Sequence, residues 1–175
     1  SVNNVLLDLL HFLGDVSKAV SFAGAPESGL NQTMAAVRNI HIASRMEGIT
    51  EVESLINDIC EEFGVEETHY GEILIAMTEA VNNAVVHGNK LDASKMVDIE
   101  VRTDGPVLEF RVTDQGPGFD FGNIPDPTSP ENIEKPNGRG VFLMRQLADS
   151  CEFEELGRVA ILRFESAIPQ PTASA

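Results

Sequence analysis

Positive charge is scarce in this 175-residue chain, where 12 lysines and arginines face 28 aspartates and glutamates for a formal net charge of −16. A domain so acidic repels a phosphate backbone, which argues against non-specific nucleic-acid binding. A polyanionic ligand would have to be held locally, by backbone N–H groups or a metal ion. Long apolar runs are lacking too. No stretch approaches the roughly 20 residues that cross a bilayer, and no basic start leads into a signal-like segment, so no membrane span is expected. The two cysteines, Cys60 and Cys151, lie far apart and form neither a CxxC nor a metal-ligand cluster. They read as small core residues in a reducing, cytoplasmic compartment. Four scattered histidines offer no zinc site. With 42% apolar and 23% charged residues, a wholly disordered chain is excluded, and the length suits one domain of ordinary size.

Residues 1–37 differ from the rest. Val5, Leu6, Leu9, Phe12, Leu13, Val16 and Val20 recur at helical spacing as one apolar stripe, and residues 24–33 read as a linker. The stripe is expected to lie on the domain, on a second copy in a homodimer, or on another partner. Alternatively, Met34 is the natural start and the preceding residues are upstream sequence.

From residue 38 to 167 the pattern is that of a folded domain, with residues 168–175 as a tail. Arg38–Ser44 alternates like a strand. Thr50 and Glu53 have the spacing of a capping box, predicting a helix that runs from Thr50 to Gly64. A longer helix is predicted from about Thr68 to Val86. Two strands, about 96–103 and 107–113, are joined by the hairpin signal Asp104-Gly105. Residues 114–139, rich in Gly, Pro, Asn and Asp, are too long for an ordinary connection. A third helix is expected from Gly140 to about Asp149, then two strands turning at Gly157. This order implies an α+β two-layer sandwich, in which a mostly antiparallel mixed sheet carries three helices on one face. The lack of strict strand–helix alternation disfavours a doubly wound fold.

Three motifs carry chemistry. On the second long helix, Glu79, Asn83 and His87 are spaced four and four and share a face. A carboxylate and an amide oxygen at a cleft edge suit Mg²⁺ with its waters and a bound phosphate, although a solvated polar stripe has the same spacing. The second motif, Asp114-Gln-Gly-Pro-Gly-Phe119, directly follows an apolar strand. Gly116 and Gly118 leave room for a flat ligand, and Asp114 is an acceptor suited to an exocyclic amine such as that of adenine. The third is Asn137-Gly-Arg-Gly-Val141, which opens a helix. Gly138 and Gly140 expose N–H groups to an anion, Arg139 adds a charged donor, and Lys135 lies nearby.

In order and separation the three resemble the ATP-binding domain shared by gyrase-type ATPases, the Hsp90 chaperones, sensor histidine kinases and MutL. The resemblance runs from about residue 38 to 165. Residues 78–88 look like that family's N box, residues 114–118 and 138–140 like its two glycine boxes, and the stretch between like its mobile ATP lid. Within the superfamily, the chain is most similar to the small anti-sigma-factor serine kinases, in Glu-Ala-Val-x-Asn-Ala-x-x-His-Gly and in Gly-Arg-Gly-x-x-Leu-Met-Arg. The resemblance implies that Asn83 binds Mg²⁺ and that Asp114 reads the adenine amino group. It places Gly116 and Gly118 by the base, and Arg139 and Gly140 by the phosphates. His87, Phe119, Lys135, Gly138 and Val141 belong to the same expected nucleotide site. Glu79 is expected as the general base.

Two positions depart from the pattern. Val86 stands where sensor kinases usually carry lysine, and Arg158–Arg163 offers no threonine near the adenine. The expected activity is ATP-dependent phosphorylation of a serine on a small antagonist protein, with sequestration of a sigma factor as a second role. The alternatives are a non-catalytic ATP-sensing module and a detached histidine-kinase ATPase domain.

Overall fold

The computed structural model describes residues 37–124 and 138–170. The expected N-terminal stripe and linker, most of the loop between the glycine motifs, with Lys135 and Asn137, and the last five residues lie outside the described residues.

Five strands form one sheet: β1 (Val37–Ala43), β2 (Met96–Asp104), β3 (Val107–Thr113), β4 (Ser150–Glu154) and β5 (Val159–Phe164), in the order β1-β2-β3-β5-β4. All these neighbouring pairs are antiparallel, so the parallel component of the expected mixed sheet is absent among the described residues. Register follows from alternation. Pairing Ile99 with Val112 and Val112 with Ala160 places apolar residues of β2, β3 and β5 on one face. On the opposite face, Arg163 pairs with Glu109 and Glu152, and Arg111 with Glu154.

Three helices supply the second layer: α1 (Met46–Phe63), α2 (Glu67–Asn82) and α3 (Arg139–Leu147). Their apolar stripes, with Ile56, Ile73, Met77, Val81 and Met144 fully buried, share one core with Val97, Ile99, Phe110 and Leu162. Phe110 and Phe164 meet edge to face with centroids 6.1 Å apart.

Two helix boundaries differ from expectation. Helix α1 starts one turn before Thr50, at Met46, with no side-chain cap. Gly48 permits this: a Cβ there would sit 2.5 Å from the carbonyl oxygen of Ala43, so only glycine lets this turn press against the end of β1. Thr50 lies inside the helix and donates its hydroxyl to the carbonyl of Glu47 at 2.7 Å. Its spacing from Glu53 imitates a capping box. The second change is in α2, which widens after Asn82 into a π-turn over Asn83–Gly88. The amide of Asn89 there donates to the carbonyl of Ala84, five residues back, at 2.8 Å. Such turns rotate the residues that follow and recur at functional sites.

Candidate functional site

The three sequence motifs converge on one cleft of about 450 Å³. Helix α2 and its π-turn form one wall with Glu79, Asn83 and His87. The end of β3 and the loop after it supply Asp114, Gly118 and Phe119, and the start of α3 contributes Gly138, Arg139, Gly140 and Val141. Gly116 is placed behind Asp114 and does not line the cleft. Lys135 lies outside the described residues.

Asp114 is only 8% exposed. One carboxylate oxygen accepts the amide of Gly116 at 2.7 Å. Burial pushes its pKa up, partly offset by that hydrogen bond and by the charges of Arg158 and Lys95. Gly88 and Gly116 press on this carboxylate from two sides. A Cβ on Gly88 would collide with it, and one on Gly116 would run into the carbonyl of Gly88. The acceptor is therefore held by backbone, and no side chain can be added at either glycine without moving it. The nearby floor is apolar, with Val112, Ala160, Ala84 and Met144. Ala160 on β5 confirms that no threonine hydroxyl faces this end of the cleft from that strand.

At the other end, Glu79 is half-buried, and burial alone raises its pKa above the ordinary value near 4.5. Gly140 packs directly against it. A Cβ built there would lie 2.7 Å from Oε2 of Glu79 and 3.2 Å from the amide nitrogen of Asn83. The first turn of α3 thus brings backbone, rather than a side chain, to the carboxylate and the amide. Gly138, at φ 91°, leads into α3 in a conformation that glycine adopts without strain. Oxygen donors from one carboxylate and one amide fit a hard divalent cation that keeps waters and takes its remaining ligands from phosphate. Among the described residues, no three or more His, Cys, Asp or Glu are grouped to hold a metal ion by themselves.

Several residues of the site were not singled out in the sequence. Lys90 and Arg158 add positive charge to the cleft wall, and Phe153 of β4 closes one side. Phe153 packs edge to face on Phe119 at 5.4 Å and stacks on Phe121 at 5.5 Å, with the Arg145 guanidinium 5.9 Å from its ring centre. The β4–β5 turn fixes the loop after Asp114. The amide of Phe119 donates to the carbonyl of Leu156 at 2.8 Å, and that of Asp114 to the carbonyl of Arg158 at 3.0 Å. These contacts span more than thirty residues of sequence and leave no local signature.

The histidine kinase-like ATPase domain family matches residues 42–164, a span that includes every residue lining the cleft. This chain belongs to the histidine kinase-like ATPase domain family. It is 34% identical over 85 residues to an anti-sigma F factor of Clostridium perfringens (strain SM101 / Type A), covering 46% of this chain and 59% of that protein. It is 26% identical over 117 residues to the serine-protein kinase RsbW of Bacillus cereus (strain AH820), covering 63% of this chain and 72% of that one. The chain thus spans about three-fifths of the anti-sigma F factors it matches. Its fold is similar to the crystal structure of the RsbU and RsbW domains of Rv1364c from Mycobacterium tuberculosis, with a TM-score of 0.55 and 15% identity over 80% of this chain and 34% of that one. No helix among the described residues is long and apolar enough to cross a membrane.

Proposed function

We propose that this chain is a protein serine kinase of the anti-sigma-factor type, which binds ATP in the cleft and phosphorylates a serine on a small antagonist protein. Release of a sequestered sigma factor by that antagonist would make it a cytoplasmic partner switch. One observation carries the reading: a buried carboxylate at one end of the cleft and a carboxylate–amide pair under a glycine helix start at the other end share a single hollow.

In this reading Asp114 accepts a hydrogen bond from the adenine amino group, and the apolar floor takes the ring. Gly118 and Phe119 flank the base. His87 and Val141 line the route toward the phosphates. The N–H groups at Gly138–Gly140, with Arg139, hold the phosphate chain, and Lys135, close in sequence, is a further candidate for binding it. Asn83 would hold Mg²⁺, which supplies neutralisation of charge on the phosphates. Glu79 accepts the proton of the serine hydroxyl as its oxygen bonds to the γ-phosphorus. The bond to the β–γ bridging oxygen breaks, and ADP departs with that electron pair. Such a transfer needs positioning and charge stabilisation more than covalent help from the protein. A carboxyl with a raised pKa is a better base than an ordinary glutamate once ionised.

Calorimetry with ATP, ADP and GTP, with and without Mg²⁺, on wild type and Asp114→Ala tests the pocket. Incubation with MgATP and a candidate antagonist tests transfer, with an acid-stable phosphoserine as the expected product. ATP binding without phosphoserine would leave a nucleotide-sensing module. An acid-labile phosphohistidine would point to a detached histidine-kinase domain. No nucleotide binding at all would overturn the proposal.

A further inference from the structure

Asn89 stands outside the cleft and outside the roles assigned above, yet it is completely buried, at 0% exposure. Its amide nitrogen donates to Oγ of Ser44 at 2.7 Å and to the carbonyl of Met96 at 2.9 Å. Its amide oxygen accepts the backbone N–H of Gln115 at 2.7 Å. A flipped amide would set oxygen against the Met96 carbonyl and nitrogen against the Gln115 N–H, so the network admits one orientation. The side chain of Gln115 in turn accepts the amide of Met96 at 3.2 Å.

These bonds fasten three pieces of chain to one another: the exit of β1, the entry of β2, and the residue immediately after Asp114. Asn89 also follows Gly88, whose backbone is the surface on which the Asp114 carboxylate rests. The π-turn is what presents both residues to β3. An unwidened helix would carry them around by a different angle per residue. Gln115 held on one side and the Gly116 amide bonded to Asp114 on the other leave the carboxylate little freedom. A buried amide satisfied this fully is a costly feature to keep if apolar packing alone were needed.

We infer that Asn89 is a positioning residue for base recognition: through the N–H of Gln115 it fixes the direction of the Asp114 carboxylate, and so sets the preference of the cleft for a 6-amino over a 6-oxo purine. This rests on the nucleotide reading of the cleft. A carboxylate repels the O6 acceptor of guanine and accepts from the N6 amine of adenine. Discrimination therefore depends on direction, which a purely structural amide would not affect.

The test is a double-mutant cycle read as the ratio of ATP to GTP affinity by calorimetry, on wild type, Asn89→Ala, Asp114→Ala and the double variant, with melting temperatures alongside. Asn89→Ala is expected to lower the ratio roughly tenfold, the scale of one hydrogen bond to a charged group, and Asp114→Ala to erase the preference. The double variant should then be no worse than Asp114→Ala alone, since both act through one carboxylate. If Asn89→Ala does not fold, Ser44→Ala loosens the same amide at one of its bonds and should shift the ratio in the same direction by less. A ratio unchanged in the variant that folds, with only the melting temperature lowered, overturns the inference while leaving the nucleotide site intact. Wild type that binds neither nucleotide overturns the reading of the cleft and this inference with it.

Discussion

Glu79 and Gly140 are packed so closely that a methyl group on the glycine would come within 2.7 Å of the carboxylate oxygen. The first turn of α3 therefore approaches Glu79 and Asn83 this closely because residue 140 has no side chain. Gly140→Ala must turn the Glu79 carboxylate aside, with Asn83 giving slightly, or push the first turn of α3 away from α2. Overpacking of this kind costs about 1–3 kcal/mol. The expected outcome is a lowered melting temperature and a loss of phosphotransfer larger than the loss of nucleotide affinity, checked by calorimetry beside a transfer assay.

The second prediction concerns Glu79 itself. Its pKa is raised by burial, so the folded protein holds this proton more tightly than the unfolded chain does. The sign follows directly. The favourable contribution is present below the ordinary value near 4.5 and is lost as pH rises through the raised folded value. At neutral pH the buried charge is a liability. Glu79→Gln should therefore melt at or above the wild-type temperature at pH 7, and this advantage should vanish as the pH approaches 4. Phosphotransfer by the same variant should fall by roughly 10²–10⁴, the usual contribution of a general base, while ATP affinity changes little. A Gln variant that transfers phosphate at the wild-type rate would remove Glu79 from the mechanism.

Asp114 carries the third. Its pKa is also raised, first by burial, with the Gly116 amide, Arg158 and Lys95 acting in the opposite direction. ATP affinity measured down a pH series should start to decline above the ordinary aspartate value near 3.8, and Asp114→Asn should flatten that decline. Gly88→Ala offers a steric check. The added methyl would collide with the carboxylate, so ATP affinity should drop in this variant with Asp114 unchanged in sequence.

The sheet and helices were legible because their signals are local. Alternation marked Arg38–Ser44, where β1 spans Val37–Ala43, and Asp104-Gly105 marked the hairpin; the structure pairs Asp104 with Val107 at that turn. The three motifs stood out because glycines cluster after a strand and before a helix and because two asparagines interrupt an apolar helical run; the structure brings residues of all three to one cleft. The start of α1 was misplaced because a tertiary contact, Gly48 on Ala43, outweighed the Thr50–Glu53 signal. The π-turn has no composition cue, and without it Asn89 reads as a helix terminator rather than a buried hub. Arg158 and Phe153 belong to the cleft only because β5 pairs with β3 and β4 with β5, a relation carried by topology.

That packing supplies the last prediction. Gly157, at φ 89°, lies beneath Phe119, and a Cβ there would sit 2.7 Å from the Phe119 carbonyl oxygen and 2.8 Å from its ring. The preceding residues Glu155 and Leu156 also adopt positive φ, and Leu156 is 79% exposed, so Gly157 is the buried residue of this left-handed turn. The turn's Leu156 carbonyl accepts the Phe119 amide. Gly157→Ala adds backbone strain of about 1–2 kcal/mol and a collision on the same side. Hydrogen exchange should accelerate at the Phe119 amide and its neighbours, while amides of the central strands, such as Phe110, slow or quicken only with global stability. ATP affinity should fall in parallel, because the loop that carries Gly118 loses its only backbone tether to β4 and β5 among the described residues beyond Asp114. Unchanged exchange at Phe119 would mean that the loop is held by the phenylalanine cluster instead, and Phe153→Ala would then reproduce the loss.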